Sequence, residues 1–304
     1  MLLLSVTFND ASSLQLNIKL ISSESLKSMS FLTKSVNFIP WFVRDYIRKI
    51  PLLSSVQRKL FDVCFRDRHF LHTINAGPAD GLRLDISLPE DKLFWTGTWE
   101  KEIAELMAKR VAPNSIALDV GSHRGFFGGV MALAGARRVY CFEPNPENIS
   151  RLEKLCLLNP QLSLHVVPVA VAECDGTANF SVMPEDTMGK LATSDFQKNA
   201  ESAELLEVTV RSLDSLMREF DWHNVGLVKI DVEGAELSVL KGGIELLKLC
   251  RPILIIEIHT FDLLGQCRLF LEEQDYRVRV VENSPYPVDA NSFRVCHLEA
   301  TPTS

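Results

Sequence analysis

A doubly wound α/β fold built on a mostly parallel sheet is predicted from three observations. Apolar runs of strand length alternate with segments of helical spacing from about residue 99 to residue 281. The run at 116–120 carries Asp119 into Gly121-Ser122-His123-Arg124-Gly125, a turn bearing two glycines that opens an apolar helix at 126–134. The chain then closes with two strand-like runs around Pro285 and Pro287, which adds an antiparallel hairpin to the sheet. Together these describe a Rossmann-like domain over 95–304, preceded by an N-terminal helical extension.

Residues 1–30 are serine-rich and weakly patterned, and are expected to be a weakly ordered segment. Met1-Leu2-Leu3-Leu4 is apolar, but no basic stretch precedes it and Asn9 and Asp10 interrupt it, so it makes a poor secretory signal. No later run is long enough to span a membrane. Residues 31–94 read as a helical cap followed by a hairpin. Phe38, Trp41, Phe42, Tyr46 and Ile50 recur near helical spacing beside Lys34, Arg44, Arg48 and Lys49, and Pro40 and Pro51 segment any helix there. A helical cap packed on the catalytic domain is the favoured reading. The alternative is weak contact of residues 31–60 with an anionic membrane surface. The hairpin pairs 69–74 with 82–86 across a turn at Gly77-Pro78-Ala79-Asp80-Gly81.

Within the α/β domain, helices are expected at 99–111, 126–134, 146–158, 213–220, 237–247 and 261–274. Strands are expected at 116–120, 139–143, 164–169, 178–182, 206–210, 225–232, 253–258, 276–281 and 292–298. A polar insertion occupies 184–202.

The 304 residues are 46% hydrophobic, enough for one large domain with an extension. The net charge of −7 argues against a general nucleic-acid surface. The seven cysteines form no Cys-x-x-Cys pair, and several sit in apolar runs. They read as buried free thiols in a reducing compartment, which predicts a cytoplasmic protein, peripheral to a membrane if residues 31–60 rest on one.

The glycine turn is not a dinucleotide fingerprint, because His123 stands where Gly-x-Gly-x-x-Gly needs its second glycine. An acid leads into the loop, which repels phosphate and suits an ammonium or sulfonium. Glu143, one βα unit later in Val139-Tyr140-Cys141-Phe142-Glu143-Pro144-Asn145, is placed to accept both hydroxyls of a ribose. The ligand that fits these residues best is S-adenosyl-L-methionine.

Two further strands end in unusual polarity. One ends Lys229-Ile230-Asp231-Val232-Glu233-Gly234-Ala235-Glu236, the other Glu257-Ile258-His259. Period-two alternation puts Asp231 with Glu233, and Glu257 with His259. Charged groups in apolar strands need partners or a role. Methyl transfer to a hydroxyl needs a base. His259, titrating near neutrality, is the simplest candidate, Asp231 the next, with Lys229 free to pair with one of the acids. The same four groups are also ligand types for Mg²⁺ or a transition metal, although no metal is assigned to them.

In chain order, Leu118-Asp119-Val120-Gly121-Ser122-His123-Arg124-Gly125, Phe142-Glu143-Pro144-Asn145-Pro146-Glu147-Asn148, Val210-Arg211-Ser212-Leu213-Asp214, Lys229 to Glu236, Leu240-Lys241-Gly242-Gly243 and Arg251-Pro252-Ile253 to His259 resemble an FkbM-type methyltransferase. The resemblance covers about residues 95–281, with Trp99-Glu100 matching an aromatic-Glu element upstream. It implies a seven-stranded sheet and O-methylation of a sugar, polyketide or similar metabolite. By that resemblance Asp119, Gly121 and Gly125 line the methionine side of the cofactor, with His123 in the same loop. Glu143 holds the ribose, Asn145 lies just beyond it, and Asp231 and Glu233 face the transfer site. The chain departs from the family at Ser122-His123, where Ala-Asn is usual; a cationic His123 beside Arg124 would oppose a sulfonium.

The expected partner is therefore a small-molecule or glycan acceptor, its pocket shaped by the insertion at 184–202 and the N-terminal cap. Two rival functions are a nicotinamide-dependent oxidoreductase, disfavoured by the missing glycine, and a non-catalytic module binding a partner or membrane through its basic aromatic segment.

Overall fold

The computed structural model describes residues 6–8, 14–16, 68–88, 91–182, 189–191, 204–281 and 292–303. The chain divides into Met1–Phe61 and Asp62–Ser304. In the first unit β1 (Val6–Phe8) and β2 (Leu14–Leu16) pair antiparallel, with Val6 opposite Leu16. The helical cap and the membrane-surface segment expected at 31–60 lie outside the described residues, as do most of the insertion at 184–202 and the turn at Pro285 and Pro287.

The second unit opens with the expected hairpin, β3 (Arg68–Thr73) against β4 (Arg83–Leu88). The expected boundary at 94/95 therefore falls inside this unit. The side chain of Asn159 clamps the hairpin from below: Oδ1 accepts from Arg83 N at 2.9 Å and Nδ2 donates to Arg83 O at 2.8 Å. Two helices follow, α1 (Lys92–Thr96), which sequence spacing does not reveal, and α2 (Lys101–Arg110).

The main sheet is then built from β5 (Ile116–Val120), α3 (Phe126–Leu133), β6 (Arg138–Phe142), α4 (Pro146–Leu158) and β7 (Leu164–Val167). Every residue of β5 is buried, as a central parallel strand covered on both faces must be. Asn145 caps α4 by accepting from Glu147 N at 3.0 Å, and Pro146 takes the first helical position, where no amide donor is required.

A small second sheet follows, formed by β8 (Ala170–Val171), β9 (Gly176–Val182), β10 (Gly189–Leu191) and β11 (Glu204–Arg211) in the order β10-β9-β11-β8. The strand expected at 164–169 thus ends at Val167, and the next residues pair with β11 instead. The chain returns to the main sheet through α5 (Leu213–Phe220), β12 (Val225–Ile230), α6 (Glu236–Lys241), α7 (Ile244–Cys250), β13 (Ile253–Ile258), α8 (Phe261–Glu273), β14 (Tyr276–Val280) and β15 (Cys296–Pro302). One helix expected at 237–247 is two. They break at Gly242-Gly243, where a β-carbon on Gly242 would stand 2.1 Å from Ala172 O.

The seven-stranded sheet has the order β14-β15-β13-β12-β5-β6-β7. Strands β13 to β7 run parallel, and β15 lies antiparallel between β13 and β14. The chain moves outward from β5 through β6 to β7, then re-enters on the other side at β12. The order therefore reverses between β5 and β12, and a crevice opens beyond their carboxyl ends. The described cysteines are all free thiols. No helix of the described residues is long and apolar enough to cross a membrane.

Candidate active site

A cavity of about 420 Å3 fills that crevice. One side is formed by Gly121, Ser122, His123, Phe142 and Glu143, with Val169–Val171 and Phe180 supplying an apolar wall from the second sheet. Trp99, Glu100, Lys229, Asp231, Glu233, Glu257 and His259 also line the cavity.

The glycine loop adopts its shape for steric reasons. Gly121 has φ +76°, and its missing side chain lets the turn rest on the end of β12. Gly125 has φ +77° and starts α3 by packing against Leu152 and Leu155; it does not line the cavity. His123 is also left-handed, with φ 51°, a costly conformation for a residue with a side chain. That geometry aims its backbone N–H at Glu143 Oε2, 2.8 Å away, while Asn145 N donates to Oε1 at 2.9 Å. Burial pushes Glu143 up to about 7, against the pull of these two amides. Asn145 contributes through its backbone and its cap on α4, and does not line the cavity.

Asp119 is fully buried and outside the cavity lining. Burial raises its pKa; Lys229 Nζ, 3.8 Å away, opposes that rise. Arg124 is not left beside the cavity as an uncompensated charge: it ion-pairs with Asp91 and lies over the Phe94 ring.

The four expected catalytic groups do converge. Lys229 Nζ donates to Asp231 Oδ2 at 3.0 Å and to Gly121 O at 3.3 Å. Burial works against the Asp231 anion, but Lys229 and His259 outweigh it and hold its carboxyl below the usual range. His259 Nε2 faces Glu233 Oε2 at 3.3 Å and stands 3.8 Å from both Asp231 Oδ1 and Glu257 Oε1. Its Nδ1 sits 2.7 Å from Oε1 of Glu236, a carboxylate with no solvent exposure that also accepts from Gly234 N at 2.9 Å.

The expectation that His259 titrates near neutrality is therefore corrected. Burial pulls it down, but the Glu236 hydrogen bond and the carboxylates of Glu236, Glu233 and Asp231 push it up to about 9. It stands as an imidazolium at neutral pH, not as a vacant base. Lys229 and His259 already supply the positive charge in this group. Glu233 takes over the near-neutral titration: burial, with Asp231 and Glu257 adding to it against His259, raises it to about 7. Its backbone is left-handed, φ 51°, in the turn that leads to α6.

Sequence reasoning missed the part played by Glu236 and His297. Glu236 was visible only as the last letter of a polar run, and His297 as a lone histidine in an apolar strand. His297 Nε2 lies 3.4 Å from Glu100 Oε2 and 3.5 Å from Glu257 Oε2. Burial, reinforced by Asp231 and Glu100 and opposed by His297, raises Glu257. Glu100, Glu257 and His297 form one of two groups among the described residues whose donor atoms are close enough together to hold a cation; the other is Asp231, Glu257 and His259.

A family model described as a methyltransferase FkbM domain matches residues 119–278, just over half the chain. The hexuronic acid methyltransferase AglP of Haloferax volcanii is 27% identical over 161 residues, 53% of this chain and 63% of that protein. The 2-O-methyltransferase NoeI of Sinorhizobium fredii is 27% identical over 165 residues, 50% of this chain and 66% of that protein. The matched region thus spans slightly under two thirds of either relative. A crystal structure of a methyltransferase FkbM from Methylobacillus flagellatus superimposes with a TM-score of 0.43 at 17% identity, covering 69% of this chain and 52% of that one.

Proposed function

Because the chain belongs to the FkbM methyltransferase family, we propose that it is an S-adenosylmethionine-dependent O-methyltransferase acting on a hydroxyl of a small metabolite or glycan. The observation that carries this reading is that Glu143 and Glu233 line one and the same cavity. The residues fit the cofactor. Glu143 offers two acceptor oxygens to a ribose diol, and Val169–Val171 with Phe180 offer an apolar wall to an adenine. Asp231, Glu233 and Glu257 offer negative charge to a sulfonium and an ammonium.

When bound, S-adenosylmethionine supplies an electrophilic methyl group on a positively charged sulfur. The chain's own task is to position an acceptor hydroxyl and remove its proton. Glu233 does the second: a carboxylate titrating near 7 matches a general base working near neutral pH. His259, held by Glu236, keeps its Nε2 toward Glu233 and steadies the charge of this group. Asp231, kept ionised by Lys229, faces the same space. Trp99, stacked on Phe94 at 4.7 Å, gives the acceptor side an aromatic surface against which the apolar face of a sugar ring can lie. The activities named for the two relatives, on a hexuronic acid and at a 2-O position, support a sugar hydroxyl.

Calorimetry of the full chain with S-adenosylmethionine, S-adenosylhomocysteine and NAD tests the cofactor. A panel of glycosides and small alcohols, scored by release of S-adenosylhomocysteine, tests the acceptor. Binding of both adenosyl ligands with turnover of a hydroxyl acceptor is expected. Binding of NAD alone, or of none of the three, overturns the proposal.

A further inference from the structure

Glu100, Glu257 and His297 meet on the acceptor side of the cavity from three different elements: the turn before α2, strand β13 and strand β15. Glu257 and His297 are directly opposite each other in the antiparallel pairing of β13 with β15, so their side chains share one face. Glu100 comes in from above at the start of α2. The three donor atoms all lie within 4.8 Å of one another.

Their spacing is informative. His297 Nε2 stands 3.4 Å from Glu100 Oε2 and 3.5 Å from Glu257 Oε2, within ion-pair reach of both. Metal–ligand bonds of about 2.1 Å place neighbouring donor atoms roughly 3.0 Å apart in an octahedron and roughly 3.4 Å apart in a tetrahedron. The two gaps to His297 match the tetrahedral spacing, and the gap between the two carboxylates is within 4.8 Å. The backbone holds two of the donors firmly, because β15 is paired on both sides, to β13 and to β14. Glu100 and Glu257 also line the cavity, which leaves the remaining coordination positions facing the space where an acceptor would lie.

We propose that Glu100, Glu257 and His297 form a binding site for one divalent cation. Two carboxylates and one imidazole are a mixed donor set, suited to Mn²⁺, Co²⁺ or Zn²⁺ more than to Ca²⁺ or Mg²⁺. Three protein ligands with open positions toward a cavity is the arrangement of a metal that also receives substrate oxygen. Such an ion would hold an acceptor hydroxyl beside Glu233. That last role rests on the methyl-transfer reading, whereas the site itself does not.

The test is therefore run without cofactor or acceptor. Mn²⁺ is titrated into the full chain, and free Mn²⁺ is followed by electron paramagnetic resonance. One saturable site is expected, and Glu100→Gln and His297→Gln should each weaken it at least about tenfold. Glu100 is 28% exposed, so its replacement disturbs packing little. Thermal unfolding of each variant reports whether it remains folded. His259→Gln should keep the site. Absence of a saturable site in the unmodified chain, affinity unchanged from the unmodified chain in both variants, or loss confined to His259→Gln each overturns the proposal. None of these results bears on whether the cavity binds S-adenosylmethionine, so the two readings fail separately.

Discussion

A β-carbon on Gly121 would fall 1.7 Å from the carbonyl oxygen of Asp231. The first turn of the nucleotide loop and the first residue beyond β12 are therefore in backbone contact across the switch point of the sheet. This contact ties the expected cofactor loop to the expected transfer site. Gly121→Ala should lower stability by about 2 kcal/mol or more, from left-handed strain and overlap together, and weaken S-adenosylmethionine binding at least about tenfold. Gly135 also has positive φ (+107°) but nothing within 4 Å of its would-be β-carbon, so Gly135→Ala isolates the strain. Thermal unfolding of both variants checks this; equal losses would mean that the contact is not what restricts position 121.

Glu143 predicts a pH dependence of cofactor binding. Its folded pKa, about 7, lies above the ordinary value of 4.5. The folded state thus holds this proton more tightly than the unfolded chain does. Its contribution to stability is full below about 4.5 and is lost as pH rises through about 7. A ribose hydroxyl works in the opposite direction, because it donates to the ionised form. Affinity for S-adenosylmethionine should rise between about pH 6 and pH 8 and then level off. Glu143→Gln should flatten that profile and weaken binding roughly 10- to 100-fold, the worth of a hydrogen bond to a charged group. Calorimetry across the pH range measures both effects.

Glu233 should control turnover more strongly than cofactor binding. With a productive acceptor, kcat of the unmodified protein should rise with pH through about 7, where Glu233 ionises. Glu233→Gln should lower kcat about 10²- to 10⁴-fold and abolish that rise. Unchanged kcat would assign proton removal elsewhere.

Asp231 has a structural cost that the sequence does not reveal. Lys229 is only 4% exposed and loses its 3.0 Å partner in Asp231→Ala. Removing one member of a buried pair should destabilise the fold by about 3 kcal/mol. Adding Lys229→Met should restore much of that loss, which a double-mutant cycle by thermal unfolding would show. Cofactor binding should survive in Asp231→Ala if folding does, while turnover falls.

Much of the fold was legible because parallel strands covered on both faces are continuous apolar runs. The stretches at 116–120, 225–232 and 253–258 could scarcely be anything else, and they appear as β5, β12 and β13. The loop glycines and Glu143 were legible because they act through local backbone geometry. The second sheet was not, because the pairing of Ala170–Val171 with β11 joins residues about forty positions apart. The approach of Ala172 to Gly242 at the split between α6 and α7 was equally hidden, since it joins residues about seventy positions apart.

The chemistry of the wall divides in the same way. Sequence alone determined that Asp231, Glu233, Glu257 and His259 stand at strand ends beside a nucleotide turn, because period and order place them there. Only the tertiary structure decided what each one is. Asp119 lies buried beside Lys229, and His259 becomes a cation because Glu236 reaches it from the start of α6. Glu233 is left to titrate near 7. A residue's type and position are written along the chain, but its proton affinity is set by burial and by charges a few ångströms away, which come together only when distant segments pack.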